Sequence, residues 1–130
     1  MQHPLLRINN LGVSFKTENG MVTALEGVQL HIARGETVAI VGESGSGKSV
    51  TALSILRLLP ASICTYNSGS IEFGEEHSEP INLLTADTAT LENIRGNRVG
   101  MIFQEPMTSL NPVLTCGYQV VETIIRHKKV

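Results

Sequence analysis

Apolar and polar residues alternate near the start of the chain, and the alternation predicts two strands. The first strand is predicted at residues 5–15 and the second at residues 22–32, where apolar side chains recur by twos. A turn signal, Thr-Glu-Asn-Gly, separates them at residues 17–20. The pattern therefore predicts an antiparallel hairpin, with a bulge or bend at Glu26-Gly27 in its second strand.

The next two apolar segments predict a strand followed by a helix. Residues 37–41 are a short, partly β-branched apolar run, which is typical of a buried parallel strand. Residues 49–59 contain no Gly or Pro and are rich in Leu, Ala and Ile, so they predict a helix that Pro60 helps to end. The apolar residues of this helix are distributed around nearly its whole circumference. This distribution predicts a major core element that is buried on more than one side.

The second half of the chain predicts short elements separated by loops. A polar connection at 61–67 precedes a short strand at 71–73, and residues 74–80 form an acidic loop. Asp87 is expected to cap a short helix that Gly96 closes. An apolar strand follows at residues 99–103, and a helix begins near residue 117. The apolar face of that last helix is predicted to consist of Val120, Val121, Ile124 and Ile125.

A glycine-rich loop lies between the predicted strand at 37–41 and the predicted helix from 49. Its sequence fits G-x-x-x-x-G-K-[ST], the phosphate-binding loop. Glycines let the backbone pass close to a ligand, and successive N–H groups then form a nest for an anion at a helix N-terminus. A structural turn is the alternative, and the order strand, loop, helix favours the binding site. The loop consists of Gly42, Glu43, Ser44, Gly45, Ser46, Gly47, Lys48 and Ser49.

Two side chains of this loop have specific expected roles. Lys48 is expected to place its ammonium against the β- and γ-phosphates of a nucleotide, and Ser49 to put its hydroxyl on Mg²⁺. The motif therefore predicts a nucleoside triphosphate together with Mg²⁺ as ligands.

Composition excludes several other classes. The 130 residues suit one small domain, and 42% hydrophobic with 17% charged residues argues against disorder. A net charge of −2 gives no general reason to bind nucleic acid or an anionic membrane. No apolar run approaches the roughly 18 residues of a membrane span, and no signal-peptide core opens the chain. Cys64 and Cys116 form no C-x-x-C pair, which favours a reduced cytoplasmic setting, and the four histidines lack metal-ligand spacing.

With these motifs in place, the whole chain resembles the N-terminal part of an ABC-transporter ATP-binding subunit. The matching stretches are residues 40–49, 68–71, 95–96 and 101–112. The last stretch resembles the branch of oligopeptide, dipeptide and nickel importers, including peptide, glutathione and microcin C-type importers, some with two cassettes in tandem. The resemblance implies an α/β fold of the P-loop NTPase, ABC nucleotide-binding type: an N-terminal antiparallel hairpin plus the start of a mixed or parallel sheet core, incomplete here.

The resemblance also assigns roles to two residues outside the loop. Gln104 resembles the Q-loop glutamine, which in the family contacts Mg²⁺ or the attacking water and links the nucleotide to the membrane subunit. Phe15 resembles the aromatic residue that stacks on adenine. Lys48 and Gln104 are thus the expected catalytic residues, and Ser49 and Gln104 the expected metal ligands.

Departures from the family pattern restrict the expected activity. No L-S-G-G-Q-type signature, no apolar strand ending in Asp-Glu and no switch histidine occurs in residues 1–130, which are interpreted as the N-terminal part of one ATP-binding domain. Phosphoryl transfer needs a base as well as a phosphate cradle, so this chain alone is expected not to hydrolyse ATP. An open sheet edge is expected to leave it marginally stable or prone to aggregate.

The resemblance implies an ATPase subunit of an importer for peptides or similar small solutes. Implied partners are membrane-spanning permease subunits and a second ATP-binding domain, in a dimer or tandem cassette, without nucleic acid; the implied location is the cytoplasmic face of the bacterial inner membrane. A P-loop kinase or GTPase is an alternative, opposed by the hairpin, by residues 103–106 and by the lack of an Asn-Lys-x-Asp motif. A non-catalytic nucleotide-binding or interaction fragment is another.

Overall fold

The structure is a computed structural model that describes residues 4–128, apart from the side chain of Pro106. His3, one of the four histidines without metal-ligand spacing, lies outside this range. The chain divides into two compact units, one ending at Ala86 and the other beginning at Asp87.

The first unit is built on a four-stranded antiparallel sheet with the order β2-β1-β3-β4. The strands are β1 (Leu6–Thr17), β2 (Gly20–Ile32), β3 (Cys64–Phe73) and β4 (Ile81–Asn82). The predicted hairpin is therefore confirmed as β1 and β2. The strand predicted at residues 71–73 is only the end of β3, because the earlier residues of β3 are mostly polar. The strand β4 was not predicted.

A bulge lets β1 bury two pairs of apolar residues that lie out of phase in sequence. Leu6 and Ile8 face the core, and so do Leu11 and Val13, although the two pairs differ in parity. The strand gains one residue relative to β2 between Ile8 and Leu11, and Asn10 adopts a positive φ of 47° there. Because a bulge shifts the alternation by one residue, both pairs reach the same buried face.

The bulge predicted in β2 is also present. Leu11 pairs with Val28 whereas Val13 pairs with Leu25, so β2 holds one more residue than β1 between these pairs. Gly27 lies in that interval with φ 65°, a conformation that glycine adopts without steric cost.

The sheet supplies most of the buried apolar side chains of the first unit. They come from β1, β2 and β3, from the end of the helix described next, and from the segment after β4. They are Leu6, Ile8, Leu11, Val13, Leu25, Leu56, Ile71, Phe73 and Leu83.

The helix α1 (Lys48–Ile55) is shorter than predicted. Arg57 has φ 50°, and the N–H of Leu58 donates to the carbonyl of Leu53 at 2.9 Å, while that of Arg57 donates to Ser54 at 3.1 Å. This pattern is a Schellman ending, which closes a helix with one left-handed residue. The Arg57 guanidinium also donates to the carbonyl of Ala86 at 2.8 Å.

The prediction that α1 is buried on more than one side was wrong. Its buried residues are Thr51 and Ser54, whose hydroxyls donate to helix carbonyls one turn earlier. The larger apolar residues Leu53 and Ile55 are only partly buried. The main core element of this unit is the sheet, because its bulged strand brings four apolar residues to one face.

Two segments that were predicted as strands do not form strands in the structure. Residues 37–41 and 99–103 contain no ladder pairing among the described residues, apart from a single bridge between Arg95 and Val99. Val41 is 91% exposed and Ile102 is 94% exposed. These two assignments were wrong because an apolar run becomes a strand only when a neighbouring strand accepts its backbone hydrogen bonds. The fold class itself is unaffected.

The second unit contains α2 (Thr88–Ile94), a 3₁₀ turn (Pro106–Thr108) and α3 (Cys116–His127). Both α-helices were predicted within a residue or two. The side chain of Asp87 caps α2, and Gly96 follows it with φ 73°, as expected. Thr115 caps α3 by accepting the N–H of Tyr118 at 3.3 Å. The predicted apolar face of α3 is present, and every residue on it is exposed.

The cap of α2 predicts a pH-dependent helix. Hydrogen bonds from Thr90 hold the pKa of Asp87 below its ordinary value. Because the pKa is lower in the folded state, the carboxylate stabilises α2 above the unfolded pKa, and this stabilisation is lost as pH falls through the folded pKa. We expect the Thr90 amide, which donates to Asp87 at 2.9 Å, to report the loss in an NMR titration.

Asp87→Asn is the matched control for this cap. It keeps an acceptor oxygen but does not titrate, so its Thr90 amide should show no such transition. A transition of the same size in Asp87→Asn would show that another group controls the helix.

Candidate functional site

The phosphate-loop sequence folds as a tight turn that leads directly into α1. Gly45 and Gly47 have φ values of 82° and 92°, and the N–H of Ser46 donates to the carbonyl of Glu43 at 3.2 Å. Both glycine conformations are ones that other residues rarely adopt. The backbone of the loop therefore curls around its own interior, as a nest for an anion requires.

The ammonium group of Lys48 occupies the interior of this loop. Its Nζ donates to the carbonyl oxygens of Gly42 at 2.6 Å and Glu43 at 2.7 Å, and to Oγ of Ser46 at 3.2 Å. These contacts use the three donors of a lysine ammonium. The positive charge is thus held at the concave side of the loop by contacts that an anionic ligand can replace.

The N-terminal end of α1 adds further donors at the same place. Gly47 is the N-cap, no side chain caps the helix, and the first turn holds no acidic residue. The first N–H groups of a helix have no intrahelical acceptor and carry the positive end of the helix dipole. Ser49 is exposed in this first turn, and its hydroxyl makes no hydrogen bond to any other described residue.

Gly47 fixes the loop against the hairpin. A Cβ added at this glycine would lie 2.5 Å from Cδ2 of Leu25 and 3.4 Å from the carbonyl oxygen of Ala24. Gly42 is equally close-packed on the inner side, where an added Cβ would lie 2.6 Å from Oγ of Ser46. The two glycines therefore allow the loop to lie close to β2 and to close around Lys48.

The other two predicted site residues lie in different units. Phe15 is half-buried on β1, in the same unit as the loop, and pairs with Val22 and Cys64. Gln104 lies in the second unit, exposed at a bend between residues 99–103 and the 3₁₀ turn. The structure therefore places Phe15 with the phosphate loop in one compact unit, and their predicted roles stay predictions.

Gln119 organises the chain after Gln104 and was not singled out from the sequence. Its amide donates to the carbonyls of Asn111 at 3.1 Å and Leu114 at 3.2 Å, and its Oε1 accepts the N–H of Asn111 at 2.8 Å. One side chain thus ties the loop before α3 to the first turn of that helix. This role is hard to predict from sequence, because a glutamine on an amphipathic helix usually faces solvent.

Two cysteines and a tyrosine with a buried hydroxyl are further reactive side chains in the described part of the chain. Cys64 and Cys116 are free, and burial raises the pKa of the Cys64 thiol. The hydroxyl of Tyr66 is buried without a hydrogen-bond partner among the described residues, and burial raises its pKa. Both groups are therefore neutral at neutral pH. No group of three or more His, Cys, Asp or Glu residues within 4–128 is placed to hold a metal ion.

The loop fits a nucleotide phosphate with Mg²⁺. The curled backbone, the uncapped N-terminus of α1 and the Lys48 ammonium all favour an anion at one place. The exposed hydroxyl of Ser49 supplies a hard oxygen, which is the kind of ligand that Mg²⁺ prefers. Within residues 4–128, no helix has both the length and the apolar character needed to cross a membrane.

Comparison with known proteins identifies one family and several similar sequences. The family model described as ABC transporter matches residues 25–129. The chain is 45% identical to the oligopeptide transport ATP-binding protein OppD of Bacillus subtilis, covering 97% of this chain and 34% of the relative. It is 52% identical to the uncharacterised ABC transporter ATP-binding protein YejF of Escherichia coli, covering 98% of this chain and 23% of the relative. It is 44% identical to the glutathione import ATP-binding protein GsiA of Salmonella choleraesuis, covering 96% of this chain and 20% of the relative.

A solved structure agrees with this result. The dimeric structure of MJ0796, a bacterial ABC transporter cassette, matches with a TM-score of 0.74 at 29% identity, over 94% of this chain and 47% of that one. The chain thus spans about a third or less of the length of these curated relatives and about half of the solved cassette.

Proposed function

Because the chain belongs to the ABC transporter family, we propose that it carries the ATP-binding loop of an importer subunit for peptides or similar small solutes. The names of OppD and GsiA support the solute class. The two compact units are proposed to belong to one ATP-binding domain, in line with the single cassette that matches 94% of the chain.

The placement of Lys48 carries this proposal. Its ammonium lies within 2.7 Å of two carbonyl oxygens of the curled loop, next to a helix N-terminus that no side chain caps. A triphosphate offers stronger, charged acceptors than these carbonyls, so the ammonium is expected to move to it on binding. Lys48 then holds the β- and γ-phosphates while the loop N–H groups surround them.

Three further residues complete the proposed site. Ser49 offers its hydroxyl to Mg²⁺, and Gln104 offers its amide oxygen to the same ion or to the attacking water. Phe15 offers an aromatic face to the adenine. When bound, Mg²⁺ neutralises the charge that the phosphate oxygens carry during transfer. The chain's own residues bind and orient the nucleotide, whereas none of them is a candidate base, so we expect no turnover from this chain alone.

The proposed partners follow from the family. In the whole protein, ATP binding and hydrolysis are expected to move membrane-spanning permease subunits at the cytoplasmic face of the bacterial inner membrane. A second ATP-binding domain is proposed as a partner, and the dimeric state of the solved MJ0796 cassette supports it.

A titration of the full chain with Mg·ATP, followed by amide NMR, tests the proposal. Shift changes should gather at residues 42–50 and at Phe15. A parallel titration with Mg·GTP tests the choice of nucleotide, since strict selection of GTP would contradict ATP as the ligand. Single-turnover hydrolysis distinguishes a catalytic chain from a purely nucleotide-binding one, and changes centred away from the loop would contradict the site.

Replacing Gln104 by Ala should leave ATP affinity nearly unchanged. The side chain is exposed and offers one neutral amide, so its loss is worth no more than about 1 kcal/mol of binding. Calorimetric titration of the wild type and Gln104→Ala with Mg·ATP measures this. Gln119→Ala serves as the comparison variant. It removes the hydrogen bonds that hold the loop after Gln104, and it leaves the residues of the phosphate loop unchanged. A loss of affinity above tenfold in Gln104→Ala would mean that this residue holds the nucleotide itself.

A further inference from the structure

A polar groove lies on the first unit, away from the phosphate loop. It has a volume of about 560 Å³ and is formed by the start of β1, the end of β2 and the turn after β2. Its polar lining consists of Arg7, Asn9, Gln29, His31 and Arg34. None of residues 42–49 contributes to it, so it is separate from the proposed nucleotide site.

Strand register explains why these side chains converge. Arg7 on β1 pairs with His31 on β2 and with Glu72 on β3, so the three side chains lie in a row across the sheet. Asn9 lies two residues further along β1 and therefore on the same face. This face is opposite to the one that buries Ile8.

The groove carries an excess of positive charge. Two guanidinium groups line it, and none of the described residues that line it is acidic. Two carboxylates lie beside it: Oε2 of Glu36 accepts the N–H of Ala33 at 2.7 Å, and the carboxylate of Glu72 lies 4.0 Å from Arg7, beyond hydrogen-bond distance. Arg34 donates to the carbonyl of Gly74 at 2.9 Å, which uses one of its five N–H donors.

The remaining donors are suited to an oxyanion. Guanidinium groups bind carboxylates and phosphates with paired hydrogen bonds, and Asn9 and Gln29 add neutral amides. Pro4 and Ala33 also line the groove and offer small apolar areas beside the charges. The volume falls within the range of pockets that hold small organic ligands.

From this arrangement we propose that the groove binds a small organic anion, a carboxylate or a phosphate ester, as a second ligand site. Arg7 and Arg34 hold the anionic group, and Pro4 and Ala33 contact the rest of the molecule. The site is independent of the proposed nucleotide function, because it shares no residue with the phosphate loop.

Amide NMR of the full chain titrated with sodium succinate tests the proposal, since succinate lacks the phosphate that the loop would bind. Sodium chloride at matched ionic strength is the blank. Saturable shifts are expected at Asn9, His31 and Arg34 and not at residues 42–49. A parallel titration with phenyl phosphate shows which anionic group binds more tightly at these amides.

Three variants sharpen the experiment. Arg7→Gln and Arg34→Gln should each weaken succinate binding about tenfold, as expected for the loss of a charge-assisted hydrogen bond. Lys16→Gln removes one positive charge from an exposed site on β1 and should leave binding unchanged. Arg7→Gln breaks no close hydrogen bond, so its fold should remain intact even if Arg34→Gln loosens the turn at Gly74.

The proposal is overturned by any of three results. These are the absence of saturable shifts beyond the chloride blank, shifts that gather at residues 42–49, and an equal loss of binding in Lys16→Gln and Arg7→Gln. The last result would mean that the response reports net charge rather than a site. Mg·ATP affinity in Arg7→Gln should equal that of the wild type.

Discussion

Replacing Lys48 by Ala should weaken Mg·ATP binding by at least about a hundredfold, to below detection in an ordinary titration. The side chain provides the positive charge inside the loop and donates to Gly42, Glu43 and Ser46. On nucleotide binding these donors would turn to phosphate oxygens, and two charge-assisted hydrogen bonds account for about 3 kcal/mol or more. Calorimetric titration of the full chain measures the effect.

Lys16→Ala is the matched control for this variant. Lys16 lies at the exposed end of β1 in the same unit, so its removal changes the net charge equally without touching the loop. Loss of Lys48 leaves two exposed loop carbonyls that water can solvate, so the sheet signals of Lys48→Ala should match those of the wild type. Equal ATP affinity in Lys48→Ala and the wild type would refute the site assignment.

Replacing Gly69 by Ala should destabilise the first unit by about 3 kcal/mol or more. Gly69 has φ 90°, and an added Cβ would overlap the backbone oxygens of Asn9 and Asn10 on the neighbouring strand. Backbone atoms of a sheet cannot rotate away as a side chain can, so β1 and β3 must separate. Strain at positive φ adds to this cost. A loss of this size is a large part of the stability of a small domain.

Urea unfolding followed by circular dichroism measures the change, with Gly100→Ala as the control. Gly100 has no positive φ, and a Cβ added there meets no heavy atom within 4 Å. Its substitution should shift stability by no more than about 0.5 kcal/mol. Similar unfolding midpoints for the two variants would contradict the close packing of Gly69 against Asn9 and Asn10.

Local signals in the sequence were sufficient for the hairpin, the phosphate loop and the two capped helices. Each depends on neighbours in sequence: the bulge on Gly27, the cap of α2 on Asp87, and the loop on the spacing of its glycines and Lys48. Such features are decided within a few residues, so periodicity and turn chemistry are enough to predict them.

Features that depend on distant parts of the chain were not predictable in the same way. Residues 37–41 have the composition of a strand, and whether they pair is decided by another segment. The early end of α1 depends on Arg57, whose left-handed conformation accompanies a hydrogen bond to Ala86, 29 residues away. The hydrogen bonds of Gln119 likewise reach back to Asn111, which the helical pattern alone does not indicate.

The phosphate loop is supported unequally on its two sides. Downstream, Gly47 lies against Leu25, and hydrogen bonds from Arg57 and Leu58 close the C-terminal end of α1, so that side is held in place. Upstream, residues 37–41 lead into Gly42 with no ladder partner in the described chain. A displacement of residues 37–41 is therefore transmitted to Gly42 and Glu43. The carbonyl oxygens of these two residues accept hydrogen bonds from the ammonium of Lys48. A segment that packs beside residues 37–41 therefore also influences the position of the Lys48 ammonium at the centre of the loop.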